Sequence, residues 1–299
     1  MTSDGGGALG DRLEIKQEGP LRATTMTGTM NIVVCVKYVP DATADRHFES
    51  DKTVDREGVD GLLSELDEYA VEQALQIKER SETPDDTHVI ALCVGPEKGV
   101  DAVRKALQMG VDSGVHVTDE AIAGSDAVAT SLVLAKAVEK IGAGLDSGKV
   151  DLVMCGMAST DGVMSVVPAM LAERLDLPQV TFASVVETQG DQVRIKRDGD
   201  VATDVVGATM PLVISVTDQS GEARYPSFKG IMAAKKKPLE TYSLGDLGVD
   251  PGDVGLSAAW TEVTETTERP PRTAGEIVTD EDGSGAAALT DFLAAKKFI

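Results

Sequence analysis

The sequence has few of the residues that build metal, disulfide and membrane sites. Three cysteines and three histidines occur in 299 residues, and none stands at the spacing of a metal motif. Cys35, Cys93 and Cys155 lie at or near the ends of apolar runs, so we expect buried, free thiols. No run approaches about 18 consecutive apolar residues, and no secretion signal begins the chain. We therefore expect a cytoplasmic protein with no membrane span, metal or disulfide.

Basic residues are also scarce, since 28 lysines and arginines stand against 50 aspartates and glutamates, a formal net charge of −22. Phosphate backbones repel so negative a chain, which disfavours nucleic-acid binding. One segment, residues 219–238, departs from this pattern because Arg224 and several lysines accompany Tyr225 and Phe228. The residues alone leave two alternatives. Phe228 is an exposed anchor for a partner, or it packs inward while the lysines solvate a helix.

Residues 1–29 are polar, Gly-rich and without periodicity. They predict a disordered N-terminal extension, or a translation start placed upstream of a natural one at Met30. Gly5, Gly7 and Gly10 match the spacing of a dinucleotide fingerprint. That fingerprint needs a strand before it and a helix after it, and neither is indicated, so we discard it.

From Met30 onward, short β-branched runs alternate with helical patterns. The runs "NIVVCVKYV", "THVIALCVG", "SGVHVTD" and "VDLVMCG" predict buried strands. Ser64 and Asp67 form a variant capping box at the first helix, and Ser125 is a candidate cap for the third. This alternation predicts an α/β fold over residues 30–240, with a mostly parallel sheet, helices on both faces and a Rossmann-like capacity to bind nucleotides.

The alternation of strand and helix patterns ends after the fourth predicted helix. The runs "QVTFASVVE", "DQVRIKRDG" and "MPLVISVTD" predict strands joined by turns, which suggests an antiparallel addition at one edge of the sheet. Residues 241–299 are rich in Thr, Gly, Pro and acidic residues and end in a short helical pattern. They have too few apolar residues for a core of their own, so we expect an extended C-terminal arm.

The segments at the carboxyl ends of the predicted strands are 37–42, 64–67, 94–96 and 156–167, where an open parallel sheet binds its ligands. None has a catalytic triad or a phosphate-loop motif. In "CGMASTDGVMSVVPAML", a loop of small residues leads from a strand into a helix, an arrangement whose amides and hydroxyls bind phosphate. We expect Asp161 to hold this loop or cap the helix. An ordinary capped turn is the alternative.

Two stretches together, "GMASTDGVMSVVPAMLAERL" and "ARYPSFKGIMAAKKKP", resemble the β subunit of an electron transfer flavoprotein. "LDEYAVEQALQIKE", "VRKALQMGVD" and the C-terminal "PPRTAGEIVTDEDG" are similar to further segments of that family, most closely to an actinobacterial-like branch. The resemblance extends from Met30 to Ile299. It implies a heterodimer in which an α subunit holds most of the FAD site and residues 241–299 wrap around that subunit.

The resemblance also implies that the β subunit buries an AMP with a structural role. Many family members have a Gln where this helix begins; the sequence here reads Val166–Val167, so backbone amides and Ser165 would have to bind the phosphate. The implied cofactor-binding residues are Cys35, Ser64, Glu65, Leu66, Asp67, Val94, Gly156, Met157, Ala158, Ser159, Thr160, Asp161, Gly162, Val163, Met164, Ser165, Val166 and Val167.

In the family, the segment before the lysine run docks on partner dehydrogenases by inserting one apolar side chain, and Phe228 matches that position. The implied docking residues are Arg224, Tyr225, Pro226, Ser227, Phe228 and Lys229. The implied function is electron transport in fatty acid oxidation: electrons pass from acyl-CoA and other flavin dehydrogenases, through the flavoprotein, to a quinone oxidoreductase and the respiratory chain. Such a subunit is a carrier with no bond-making catalysis of its own.

Two other functions stay open. A flavin-based electron-bifurcating subunit would hold a second FAD in place of AMP. A nucleotide-binding sensor domain would use the same sheet without redox chemistry, although it would not explain the lysine-rich segment. An NAD-dependent dehydrogenase is disfavoured because no glycine fingerprint follows any predicted strand.

Overall fold

The computed structural model describes residues 29–44, 46–268, 270, 275, 277–280 and 283–299. Apart from Thr29, the predicted disordered extension lies outside the described residues. The helices and strands are β1 Met30–Cys35, β2 Tyr38–Pro40, β3 Gly61–Leu63, α1 Glu65–Arg80, β4 Thr87–Val94, α2 Val100–Met109, β5 Ser113–Val117, α3 Ala127–Gly144, β6 Leu152–Gly156, α4 Val167–Leu175, β7 Gln179–Ala183, β8 Val185–Gln189, β9 Gln192–Asp198, β10 Thr203–Thr209, β11 Leu212–Val216, α5 Phe228–Ala234, β12 Leu239–Tyr242, α6 Leu244–Leu247 and α7 Gly285–Ala295.

A seven-stranded parallel sheet in the order β12-β5-β4-β1-β6-β11-β7 forms the centre of the fold. Every residue of β1, β6 and β11 is buried, because helices cover both faces of the sheet. Alternate side chains of β1 accordingly enter two different apolar clusters, Ile32 and Val34 on one face and Val33 and Cys35 on the other. The predicted α/β fold is confirmed.

The order of the strands sets where a ligand can bind. From β1 the sheet first grows through β4 to β5, and then β6 joins on the opposite side of β1. The chain therefore reverses its direction of growth between β1 and β6. Crossover connections diverge at such a switch point and leave a crevice beyond the carboxyl ends of the two strands.

Three antiparallel strands form a sheet of their own, in the order β10-β9-β8, and β2 and β3 form a further antiparallel pair. The antiparallel part of the prediction is confirmed, with two differences in its membership, since β7 and β11 both belong to the parallel sheet. Strand β11, expected among the antiparallel strands, lies parallel between β6 and β7, where its five residues are all buried. A continuous apolar run such as "LVISV" suits the middle of a parallel sheet, whose strands are buried on both faces.

Two predicted helix caps differ from the structure. Ser64 stands at the N-cap of α1 without a capping hydrogen bond, because its hydroxyl accepts from the amide of Thr160 and Asp67 accepts from the amide of Lys37. Asp126, rather than Ser125, caps α3 by accepting from the amide of Ala129. In both cases the expected capping side chain holds a neighbouring segment instead.

The chain divides into two compact units between Val263 and Thr264. The first unit includes all three sheets of the described residues and continues past residue 240, where we expected the arm to begin. The second contains α7, whose described side chains are exposed or only partly buried. Among the described residues, no helix is long and apolar enough to cross a membrane. All three cysteines are buried, as expected, and none is in a disulfide.

Candidate functional site

A cavity of about 800 Å³ lies at the switch point between β1 and β6. Cys35 and Cys155, at the carboxyl ends of these two strands, form part of its wall together with Asp67 of α1 and Val94 of β4. Binding sites for small organic ligands occupy about 300–1,000 Å³, so the cavity has the size of a nucleotide-binding site. It lies entirely within the first unit of the chain.

The loop of residues 156–167 is held in place by Asp161. Its side chain, 2% exposed, accepts from Lys37 Nζ at 2.9 Å and from the Arg56 guanidinium. It also accepts from the amide of Gly162 at 2.7 Å, and Arg46 donates to the neighbouring carbonyl of Thr160 at 3.2 Å. Three basic side chains from residues 37–56 therefore fix the loop against the carboxyl end of β1. Asp161 holds the loop, as the sequence indicated.

Two opposing effects act on the Asp161 carboxyl. Burial raises its pKa, but Lys37 and Arg56 lower it more, so the pKa lies far below its ordinary value. The carboxylate is ionised at neutral pH and bound to both cations. A buried carboxylate that has lost its cationic partner strongly destabilises the folded state. Here two cations together balance the charge of the carboxylate.

Beyond Asp161, the backbone passes through two left-handed residues before the next helix. Val163 and Ser165 have left-handed φ angles of 51° and 57°, and Val166 returns to the right-handed region with φ −101° and ψ −21°. The adjacent left- and right-handed residues Ser165 and Val166 turn neighbouring N–H groups toward one point, a nest that binds anions. The Val163 amide is not part of this nest, because it donates to the carbonyl of Ser159 at 3.0 Å. A left-handed β-branched residue costs about 1–3 kcal/mol, so the surrounding contacts must impose this conformation at Val163.

Helix α4 begins directly after this nest. Its N-cap, Val166, makes no side-chain capping hydrogen bond, so the first-turn amides of Val167 and Ala169 are not capped by a side chain of the loop. These amides and the positive end of the helix dipole favour an anion at the same place. The loop can therefore bind a phosphate through main-chain groups, with Ser165 at the cavity wall supplying a hydroxyl.

The first turn of α1 fits tightly against the end of β6. A Cβ on Gly156 would lie 2.6 Å from both the Asp67 carboxyl and the carbonyl of Leu66, so only glycine fits. Asp67 accepts from the amide of Lys37 at 2.9 Å, and burial, the largest effect on it, raises its pKa to about 8. At neutral pH this carboxyl is predominantly protonated and adds little negative charge near the loop of residues 156–167.

Segments not identified from the sequence complete the cavity. They are residues 51–54, the N-terminal turn of α3 and residues 256–263. Asp126 joins the last two segments, because its carboxylate accepts from the amides of Trp260 and Thr261 at 2.9 and 3.1 Å. Ser125 accepts from the amide of Gly255 at 2.8 Å. No short motif marks these contacts, since they join residues about 130 positions apart in the chain.

The cofactor-binding residues expected from the sequence divide into two groups. Ten line the cavity: Cys35, Asp67, Val94, Gly156, Ala158, Ser159, Gly162, Met164, Ser165 and Val167. The other eight, Ser64, Glu65, Leu66, Met157, Thr160, Asp161, Val163 and Val166, lie beside these without forming the wall. The sequence did not identify Lys37 and Arg56 as individual members of the site, although Lys37 falls in the segment after β1.

The expected docking residues lie elsewhere, just before and at the start of α5. Tyr225 and Phe228 are 92% and 82% exposed, so Phe228 does not pack inward as the alternative required. Ser227 caps α5 by accepting from the amide of Gly230 at 3.0 Å. Arg224 does not point to solvent, because its guanidinium binds Glu72 and Glu79 of α1.

Comparison with known proteins gives consistent matches. Residues 51–247 match the model of the electron transfer flavoprotein domain family. The chain is 43% identical over 271 residues to the electron transfer flavoprotein subunit beta of Mycobacterium tuberculosis, covering 90% of this chain and 99% of that protein. It is 43% identical over 272 residues to the corresponding protein of Mycobacterium leprae, with the same coverage. It is also 32% identical over 250 residues to the caffeyl-CoA reductase-Etf complex subunit CarD of Acetobacterium woodii, covering 84% of this chain and 92% of that subunit.

The pKa of Asp67 predicts a pH dependence of stability. Between its unfolded value of 3.8 and about 8, the folded state binds a proton that the unfolded state has lost, so the free energy of unfolding falls as pH rises through this range. Asp67→Asn cannot ionise. The melting temperatures of this variant and of the parent protein are measured from about pH 5 to about pH 9. The difference, variant minus parent, should increase up to about pH 8 and then stay constant. Parallel curves would show that burial does not control this group.

Proposed function

Because the chain belongs to the electron transfer flavoprotein β-subunit family, we propose that it pairs with an α subunit in a heterodimeric electron carrier of the cytoplasm. The carrier accepts electrons from flavin dehydrogenases, such as acyl-CoA dehydrogenases, and passes them to a quinone oxidoreductase and the respiratory chain. The observation that best supports this proposal is the pairing of a nucleotide-sized cavity with an exposed aromatic segment elsewhere in the same chain.

We assign the cavity to AMP. A mononucleotide needs one strong phosphate site and an apolar space for its base. The amides around Ser165 and the start of α4 supply the first, and Cys35, Val94 and Leu134 supply apolar wall for the second. The bound nucleotide would contact β1, α1 and α4 at once and so stabilise their arrangement, which is a structural role.

In this proposal the α subunit makes most of the contacts with the FAD of the heterodimer, and this chain forms one side of the FAD-binding site. FAD supplies the reversible uptake and release of electrons. The work of this chain is physical, since it holds the nucleotide, contacts the α subunit through residues 241–299 and presents the docking segment. None of these tasks requires a general acid, a base or a nucleophile, so we propose a carrier subunit rather than an enzyme.

The docking segment fits this role by its chemistry. Tyr225, Phe228 and Met232, the last at 48% exposure, are exposed apolar side chains in a lysine-rich segment of a strongly negative chain. Exposed aromatic residues ringed by polar groups are common energetic centres of protein interfaces. We propose that Phe228 enters a pocket of the dehydrogenase and brings the two flavins close enough for electron transfer.

The nucleotide content of the purified heterodimer tests the assignment of the cavity. Acid-quenched extraction followed by chromatography should release one AMP and one FAD per heterodimer. Two FAD and no AMP would instead support an electron-bifurcating subunit. ATP alone, without flavin, would support a nucleotide sensor and contradict the proposal.

Phe228→Ala tests the docking assignment. Removing a central aromatic anchor costs about 2 kcal/mol or more at an interface, so the efficiency of electron transfer from the dehydrogenase should fall roughly thirtyfold while the flavin spectrum stays the same. Val201→Ala removes a side chain of 99% exposure outside the segment and serves as the control. Equal rates for Phe228→Ala and the control would exclude docking through this residue.

A further inference from the structure

Arg224 occupies a position that the docking function does not explain. It lies four residues before Phe228, yet only 32% of its side chain is exposed, and its guanidinium is directed at helix α1. The Nε and Nη2 groups donate to Glu72 at 2.6 and 3.0 Å, and Nη1 and Nη2 donate to Glu79 at 2.6 and 3.1 Å. Two carboxylates therefore bind all three nitrogens of the guanidinium.

The two carboxylates differ in their surroundings. Glu72 is 6% exposed, and burial raises its pKa, but hydrogen bonds from Arg224 reverse the shift and leave the pKa below its usual value. Glu79 is 56% exposed, and the same guanidinium lowers its pKa. Both are ionised at neutral pH. They are seven residues apart on α1, so they lie on the same helix face, two turns apart.

The cluster fixes the backbone as well as the side chain. The amide of Arg224 donates to Glu72 at 3.2 Å, so the same carboxylate holds the main chain where the docking segment begins. Just upstream, Gln73 donates to the carbonyl of Ser220 at 2.8 Å. The chain between Ser220 and Arg224 is therefore tied to α1 at both ends.

The other side of the segment is fixed to helix α2. A Cβ on Gly230 would lie 2.6 Å from the carbonyl oxygen of Gln108, which shows how closely α5 approaches the last turn of α2. Lys237 donates to the carbonyl of Leu107 at 3.0 Å. Phe228 thus stands between two attachments, to α1 on one side and to α2 on the other, while its own ring is exposed.

We propose that the cluster of Arg224, Glu72 and Glu79 is a positioning element that holds the docking segment in its binding conformation before a partner arrives. The inference rests on the proposed docking function of Phe228 and adds a separate role for Arg224. A flexible loop would lose conformational freedom on binding, and that loss weakens association. A segment already fixed at both ends avoids most of that loss. In this account Arg224 makes no contact with the partner.

A double-mutant cycle distinguishes positioning from direct contact. The protein is the heterodimer, and the probe is an acyl-CoA dehydrogenase that reduces the wild-type heterodimer. The first change is Arg224→Gln with Glu72→Gln, which removes the ion pair without leaving a lone buried charge. The second change is Phe228→Ala. KM for the heterodimer and kcat are measured for the wild type, for each change alone and for both together.

If the cluster acts by presenting Phe228, its removal raises KM roughly tenfold in the wild-type background and leaves kcat nearly unchanged. In the Phe228→Ala background the same removal has almost no further effect, because nothing remains to be positioned. Equal increases in both backgrounds would overturn the proposal, since Arg224 would then act independently of Phe228. An unchanged KM in the wild-type background would overturn it too.

Two further variants make the test specific. Glu79→Ala removes only the exposed half of the cluster, so it should fold normally and raise KM about twofold to threefold, again only when Phe228 is present. Arg194→Ala breaks the surface pair of Arg194 with Glu187 and is the matched control, which should not change KM.

If Phe228→Ala alone leaves KM unchanged, docking itself is refuted and this inference fails with it. If Phe228→Ala raises KM but the cluster variants do not, only this inference is refuted.

Discussion

The ionic contact of Asp161 with Lys37 and Arg56 is the interaction on which the candidate site depends. It joins the loop after β6 to residues that follow β1, across the point where the sheet changes its direction of growth. The carboxylate is buried and both cations are partly buried, so the contact is much less screened by solvent than a surface pair. Beyond Asp161, the chain adopts left-handed conformations at Val163 and Ser165 before α4 begins, and the left-handed Ser165 followed by the right-handed Val166 forms the proposed anion-binding nest.

Helix α1 connects the two functional regions of the chain. Its first turn packs against Gly156 and the loop of residues 156–167, and its later turns hold Arg224 through Glu72 and Glu79. At a rise of about 1.5 Å per residue, Asp67 is about 7.5 Å from Glu72 and about 18 Å from Glu79 along the helix axis, so both regions are fixed to one rigid element. An electron carrier benefits from this arrangement, because the partner must meet a defined surface at a defined distance from the flavin.

The strand and helix pattern was predictable because alternating apolar runs and helical periodicity are local signals, and the loop 156–167 was predictable because it follows a strand. The remaining features depend on contacts between distant parts of the chain. Arg56 shows no local signal for its contact with Asp161. Ser125 and Asp126 both accept from amides of residues 255–261, about 130 positions away, and no local signal marks these contacts either. The strand β11 was expected to be antiparallel, since sequence order gives no sign that it enters the sheet between β6 and β7.

The most direct test of the main-chain phosphate site is the AMP content of heterodimers with Asp161→Asn, compared with Asp198→Asn at an exposed strand end as the control. The substitution frees Lys37 and Arg56 but removes the contact that shapes the loop. If backbone amides bind the phosphate, AMP retained after gel filtration should fall about tenfold or more while the far-ultraviolet circular dichroism is unchanged. AMP content that stays the same or rises would mean that the freed cations suffice and would contradict this account.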